Sequence, residues 1–253
     1  GEASNLAEIE LILATTTLLG RLEFKNFTIR INDRRILKAM AAYSGFPEES
    51  YDTVFIILDK MDKIGPEGVA EELKAEGFGP EIVEKYLELF QMVSRDASGV
   101  ACLKEKLAGF LDPEYADGLI TIMNSVEAAK SADFRIAFDP TLVRGMSYYT
   151  GPIFEISMDE YGGSVGGGGR YDEMIGKFTG QNIPAGAPGK KAYLLDKKLP
   201  AEAVVKIIAR AMEERRQGLS VNLALMKKNK KFQKEQLESQ GYTQIEEIYA
   251  DRI

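Results

Sequence analysis

Leu6, Ile9, Ile12, Leu13 and Leu19 recur near the 3.6-residue period of a helix, so residues 5–21 are predicted helical, with Asn5 as the N-cap. FTIRIND, residues 27–33, alternates apolar and polar positions and predicts a half-buried strand. RRILKAMAAYSG then returns to helical spacing and stops at Gly45. From Pro47 to about Ser131 the pattern is helical, broken at Gly65-Pro66, Gly77, Gly79-Pro80, Gly99 and Asp112-Pro113. Val54, Phe55, Ile57, Leu58 and Met61 form one apolar stripe, and the neighbouring Asp59-Lys60 and Asp62-Lys63 read as surface charge.

Between residues 134 and 185 the period changes. FRIAFDP, LVRGMSYYTG, PIFEISM and GGSVGGGGRYD predict antiparallel strands joined by turns. The rest of the chain alternates strand and helix. AYLLD, LSVNLALM and TQIEEIYAD read as strands, and PAEAVVKIIARAMEERRQG and KFQKEQLESQGY as helices; Pro200 opens the first helix and Gly218 closes it. That alternation predicts a small α/β layer with a parallel sheet.

Composition narrows the chemistry. The 253 residues contain one cysteine, Cys102, and no histidine. An internal disulfide framework, a nitrogen/sulfur zinc cluster and a Ser/His or Cys/His catalytic pair are therefore excluded. Catalysis by positioning and fixed charge is the kind favoured. No apolar run approaches the ~20 residues of a membrane span and no basic-then-apolar leader opens the chain, so a soluble, cytoplasmic protein is expected. The net charge of −7 is unevenly spread: residues 190–253 carry +5 and the remainder −12. A polyanion touching one end would account for this, and so would Lys227, Lys228, Lys230, Lys231 and Lys234 solvating a loop and a helix start.

LVRGMSYYTG, residues 142–151, concentrates one guanidinium, four consecutive hydroxyl-bearing side chains and two glycines. It reads either as a strand entering a turn, with Tyr148 and Tyr149 on opposite faces, or as a polar site for a small anionic ligand. The six glycines within 162–169 are flanked by apolar and aromatic residues. They read as a close approach of backbone to a ligand or another chain segment, or as a loose hairpin loop.

LVRGMSYYTG followed by FEI, then GGGGRYDEMIGKF, resembles the two histidine-site motifs of the histidyl-tRNA synthetases, a class II aminoacyl-tRNA synthetase family. The order of the flanking segments agrees: KNFTIRINDRRIL, a helical insertion containing LDKMDKIG, the two motifs, then a basic α/β lobe resembling an anticodon-binding domain. The resemblance implies an α+β fold with a mixed, largely antiparallel sheet. It further implies catalytic-domain segments at 1–46 and 132–189, a helical insertion at 47–131, and an α/β anticodon-binding-like domain at 190–253. Implied substrates are histidine, ATP with Mg2+, and tRNA; no tightly bound cofactor or metal site is expected in this chain, and the intact parent is expected to be a homodimer.

In this resemblance Arg144 is the catalytic cation, bridging the amino-acid carboxylate and the α-phosphate of ATP with a planar, permanently charged fork. Tyr148, Tyr149, Gly168, Gly169, Arg170 and Tyr171 form the histidine-binding set. The hydroxyls of Tyr149 and Tyr171 would face the imidazole or amino group, and the glycines would admit close backbone approach. Lys227, Lys228, Lys230 and Lys231 are the implied tRNA contacts. Two departures stand out. Ser147 occupies a place where the family has an acidic residue. The first two class II motifs would lie before GEASNLAEIELI, and after Ile183-Pro184-Ala185 GAPGKKAYLLD stands where the third is expected. A C-terminal fragment, incomplete for catalysis by itself, is therefore expected. The alternative is a non-catalytic, synthetase-like regulatory subunit of histidine biosynthesis, which the basic α/β lobe disfavours.

Overall fold

The computed structural model describes residues 3–143, 148–158, 161–172, 191–216, 221–239, 242 and 244–250. Helix α1 (Leu6–Arg21) buries Leu6, Ile9, Ile12 and Leu13. Its start differs from expectation: Asn5 is already helical and makes no capping bond, while Ser4 Oγ accepts the Leu6 amide at 3.4 Å. The Asn5 amide instead lies over Gly118, where an added Cβ would stand 2.9 Å from it. A tertiary contact has displaced the local cap.

Strand β1 (Phe27–Asp33) is followed at once by helix α2 (Arg34–Ser44). Asp33 Oδ1 accepts the Arg35 amide at 2.8 Å, and Gly45 ends the helix in the left-handed region, at φ 102°. Helices α3 (Tyr51–Leu58), α4 (Met61–Ala75), α5 (Pro80–Gln91), α6 (Ala97–Lys106) and α7 (Pro113–Ala129) follow. The Val54 stripe ends at Leu58, short of Met61, and the break expected at Gly65-Pro66 is present: Gly65 (φ 69°, ψ 176°) is non-helical and kinks the Met61–Ala75 span just before Pro66. Gly99 lies in the first turn of α6, capped by Asp96; an added Cβ would come within 2.0 Å of the Ser94 carbonyl oxygen. The need there is for space.

Strands β2 (Phe134–Phe138), β3 (Pro152–Met158) and β4 (Tyr161–Gly169) complete the first sheet, in the order β2-β1-β3-β4. Helices α2–α7 form the crossover between β1 and β2, which pair in parallel; β1–β3 and β3–β4 are antiparallel. The sheet is mixed and largely antiparallel, and the glycine tract is a paired strand rather than a loop.

The second sheet has the order β6-β5-β7 and is parallel throughout, from β5 (Lys191–Leu195), β6 (Val221–Leu225) and β7 (Gln244–Ile248). Helices α8 (Ala201–Arg216) and α9 (Lys230–Ser239) make the two crossovers. Alternation along β5 divides its side chains: Tyr193 and Leu195 join the large core, whereas Ala192 and Leu194 pack with Ala224, Met226, Leu237 and Tyr242. Helix α8 packs on α7, and Arg215 reaches Glu10 of α1 at 2.7 Å. Among the described residues no helix is long and apolar enough to cross a membrane.

An ionic junction joins the sheet to the helices. Buried Asp139, just past β2, accepts hydrogen bonds from Arg30 of β1, Arg95 of the α5–α6 connection, and both the amide (3.0 Å) and hydroxyl (2.7 Å) of Thr141. Arg30 also reaches Asp62 of α4 at 2.9 Å; Asp62 is the surface charge expected, 64% exposed, and its ion pair links α4 to β1. Burial alone would raise the Asp139 pKa, but Arg30, Thr141 and Arg95 outweigh it and hold the carboxyl below its ordinary range. A depressed carboxylate stabilises the fold above its unfolded-state pKa near ~3.9, and that stabilisation is lost as pH falls through the lower folded value. Asp139→Asn is accordingly expected to cost about 3 kcal/mol near neutral pH. The difference from wild type should shrink on acidification below about pH 4, as measured by urea unfolding across pH.

Candidate functional site

The junction at Asp139 leads directly into the first motif. Leu142 and Val143 are buried, and their carbonyl oxygens are held by Asn32 Nδ2 (3.1 Å) and Arg34 Nη1 (3.3 Å). Side chains of the β1–α2 corner thus anchor the backbone up to the residue before Arg144. Arg144 and Ser147 themselves lie outside the described residues. The described parts of the motif, 142–143 and 148–151, are not strand.

The motif resumes at Tyr148 and meets the second motif at once. The Thr150 amide donates to the Arg170 carbonyl (2.7 Å), the Arg170 amide to the Pro152 carbonyl (2.9 Å), and the Asp172 amide to Thr150 Oγ1 (3.3 Å). This clamp brings three tyrosines together. The rings of Tyr148 and Tyr149 lie 4.5 Å apart and those of Tyr149 and Tyr171 6.3 Å apart. Tyr148 and Tyr171 are exposed and Tyr149 is half-buried. Burial pushes the Tyr149 hydroxyl pKa up, with Tyr148 and Tyr171 adding to it, so the group stays a neutral donor.

The glycines have a packing role. A Cβ at Gly169 would stand 2.8 Å from the Tyr149 ring and 2.9 Å from both the Ile153 side chain and the Pro152 carbonyl oxygen. One at Gly168 would stand 3.0 Å from the Phe154 ring. Both glycines therefore make room for aromatic side chains of the neighbouring segment. Arg170 sends its guanidinium to α1: Nε and Nη2 donate to the two Glu8 carboxylate oxygens (2.6 and 2.8 Å), and Nη2 also to the Ser4 carbonyl (2.8 Å). Burial works against this charge, but Glu8 and then Asp172 outweigh it and hold the Arg170 pKa above its ordinary value.

Glu8, Arg35 and Asp139 carry no mark in the sequence pattern. Arg35 is gripped by Asp33, stacks on Tyr115 at 3.9 Å, and with the Arg170 stem encloses Gly151. Glu8 meets Arg170 and Asp139 meets Arg30 across long stretches of chain, as Arg35 meets Tyr115, and such contacts leave no local signal.

Lys227 and Lys228 lie in the connection after β6, and Lys230 and Lys231 in the first turn of α9; all four are exposed. Elsewhere in this lobe cations meet carboxylates: Lys191 pairs with Glu214 (2.6 Å), Arg210 with Glu246 (3.0 Å), and Lys234 with Glu247. Lys230 Nζ instead donates to Tyr249 Oη at 2.9 Å. Phe232, 54% exposed, stands among these lysines; the aromatic inside the run KKNKKFQK is the sequence signal that could have found it. Among the described residues no group of three or more Cys, Asp or Glu is placed to hold a metal ion.

Fold and motif geometry together define a class II synthetase-like chain. Residues 1–187 match the profile of the histidyl-tRNA synthetases. A histidine–tRNA ligase of Leifsonia xyli is 44% identical over 198 residues, covering 73% of this chain and 44% of that protein. One from Aeropyrum pernix is 31% identical over 260 residues, covering 90% and 56%. The crystal structure of histidyl-tRNA synthetase from Nostoc has the same fold, with a TM-score of 0.66 at 22% identity, covering 95% of this chain and 62% of that one. The chain belongs to the histidyl-tRNA synthetase family. It spans about half the length of these curated relatives.

Proposed function

We propose that this chain is the part of a histidine–tRNA ligase that holds one wall of the amino-acid pocket and an RNA-contacting lobe. The observation that carries the reading is the clamp between Thr150 and Arg170, which draws Tyr149 and Tyr171 side by side. In the reaction, the histidine carboxylate attacks the α-phosphorus of ATP, pyrophosphate leaves, and the adenylate passes its histidyl group to tRNA. Arg144 offsets the repulsion between the two anions as they approach. Tyr149 and Tyr171 offer hydroxyls to the imidazole and amino groups, a polar match that favours a ligand able to pair with both. Mg2+ enters with ATP. Residues 1–46 and 132–189 belong to the catalytic domain, 47–131 to the helical insertion and 190–253 to the anticodon-binding-like domain, in a cytoplasmic homodimer.

Histidine-dependent exchange of pyrophosphate into ATP tests this. The full-length protein should exchange robustly, while this chain alone should fall near background because the earlier motifs supply the ATP clamps. Full-length protein without histidine-dependent exchange, and without affinity for tRNA, would favour a regulatory subunit instead.

A further inference from the structure

We propose that Glu8 is a positioning residue for the amino-acid pocket, acting through Arg170 on the Tyr149–Tyr171 pair; this deepens the function proposed above and rests on it. Glu8 belongs to α1 and stands 162 positions from its partner. Both of its carboxylate oxygens are taken by the Arg170 fork, and the two side chains are 6% and 9% exposed. A two-point contact of this kind fixes the plane and direction of a guanidinium as well as its place. The Ser4 carbonyl and the Asp172 carboxylate, the latter at 3.3 Å from Nη1, complete the grip.

What is held in this way is the middle of the tyrosine clamp. The Arg170 carbonyl receives the Thr150 amide and its own amide reaches Pro152, so the segments on either side of the pocket hang from this one residue. Tyr171 follows it directly. Tyr149 precedes Thr150 and lays its ring against Gly169, the residue before Arg170. Through Arg170 the clamp reaches a third element, α1, which also runs near β4, where a Cβ added at Gly168 would stand 3.7 Å from Leu11. A shift of α1 would therefore move the two rings relative to each other.

Stability alone gives little reason for such a pair. Desolvation offsets much of the attraction between buried charges, and apolar side chains of similar volume commonly serve as well. What an apolar pair cannot supply is the fixed direction of a fork, and that distinction makes the role testable.

The experiment is histidine-dependent pyrophosphate exchange by the full-length protein, with KM for histidine, KM for ATP and kcat measured separately. Glu8→Leu/Arg170→Met leaves no uncompensated buried charge, so its thermal midpoint should stay within a few degrees of wild type. Its KM for histidine should rise about tenfold while KM for ATP stays put. Arg170→Lys keeps a cation opposite Glu8 but loses the fork, and should raise the histidine KM by a smaller factor, roughly threefold. A folded double variant with wild-type histidine KM overturns the proposal, as does an equal rise in KM for ATP. Should the double variant not fold, Arg170→Lys decides: an unchanged histidine KM overturns the proposal and a selective rise supports it. A wild-type protein without histidine-dependent exchange would instead overturn the function itself, and is recognised because it precedes any substitution.

Discussion

Replacing Arg144 by alanine in the full-length protein is expected to slow adenylate formation by about a hundred- to a thousandfold, with the thermal midpoint nearly unchanged. The reaction forces a carboxylate onto a phosphate, and the repulsion peaks where the new bond forms. A cation held between the two anions acts most strongly there, so its removal should lower kcat more than it raises KM. The structure prepares for this on the N-terminal side of the segment. The carbonyls of Leu142 and Val143 are tied to Asn32 and Arg34, and Asp139 is braced by two arginines, so the backbone leading to Arg144 is anchored by other side chains. Arg144→Lys should recover part of the rate, since it restores charge without the planar fork. Single-turnover exchange alongside thermal unfolding checks both variants. Lost stability with normal specific activity of the folded fraction would make Arg144 a structural cation.

How far the sequence reveals this molecule depends on the range of the interaction concerned. The alternation of FTIRIND, the stripe of α1 and the strand–helix alternation after residue 190 are local periodicities, and each appears in the structure as read. Asp33 capping α2 and Gly45 ending it obey the same short-range rules. Departures begin where a distant contact overrides a local preference. Asn5 gives up its cap to lie over Gly118. Gly168 and Gly169 were legible as a close approach, but the approaching groups in the described structure are Phe154, Tyr149 and Ile153. The motifs marked Arg170 as a residue of the site; its grip on Glu8 could not be read, because pairing across 162 positions leaves no trace in one sequence.

The second large effect is expected at the other end of the chain. Lys227, Lys228, Lys230 and Lys231 all changed to glutamate should weaken binding of histidine-specific tRNA by roughly tenfold to a hundredfold near physiological salt. The dependence of log K on log salt should flatten by up to about 3, at ~0.7 for each single-strand phosphate that the variant no longer neutralises. The placement of these residues supports the reading better than the lobe's net charge does. Lys191, Arg210, Arg215 and Lys234 pair with carboxylates, whereas Lys227, Lys228, Lys230 and Lys231 stand exposed together. Lys230 and Lys231 also sit in the first turn of α9, where the helix dipole disfavours cations by about 0.3–1 kcal/mol each. An RNA phosphate close by would offset that cost. Phe232 separates charge from base recognition: with its ring exposed beside the lysines, Phe232→Ala should weaken binding by about 1–3 kcal/mol if a base stacks there, and leave the salt slope unchanged. Pyrophosphate exchange should be untouched in both variants, since the tyrosine clamp is built from other elements. Filter binding across a salt series reads all of this, and unchanged affinity and slope in the quadruple variant would reduce the run to a solvated surface.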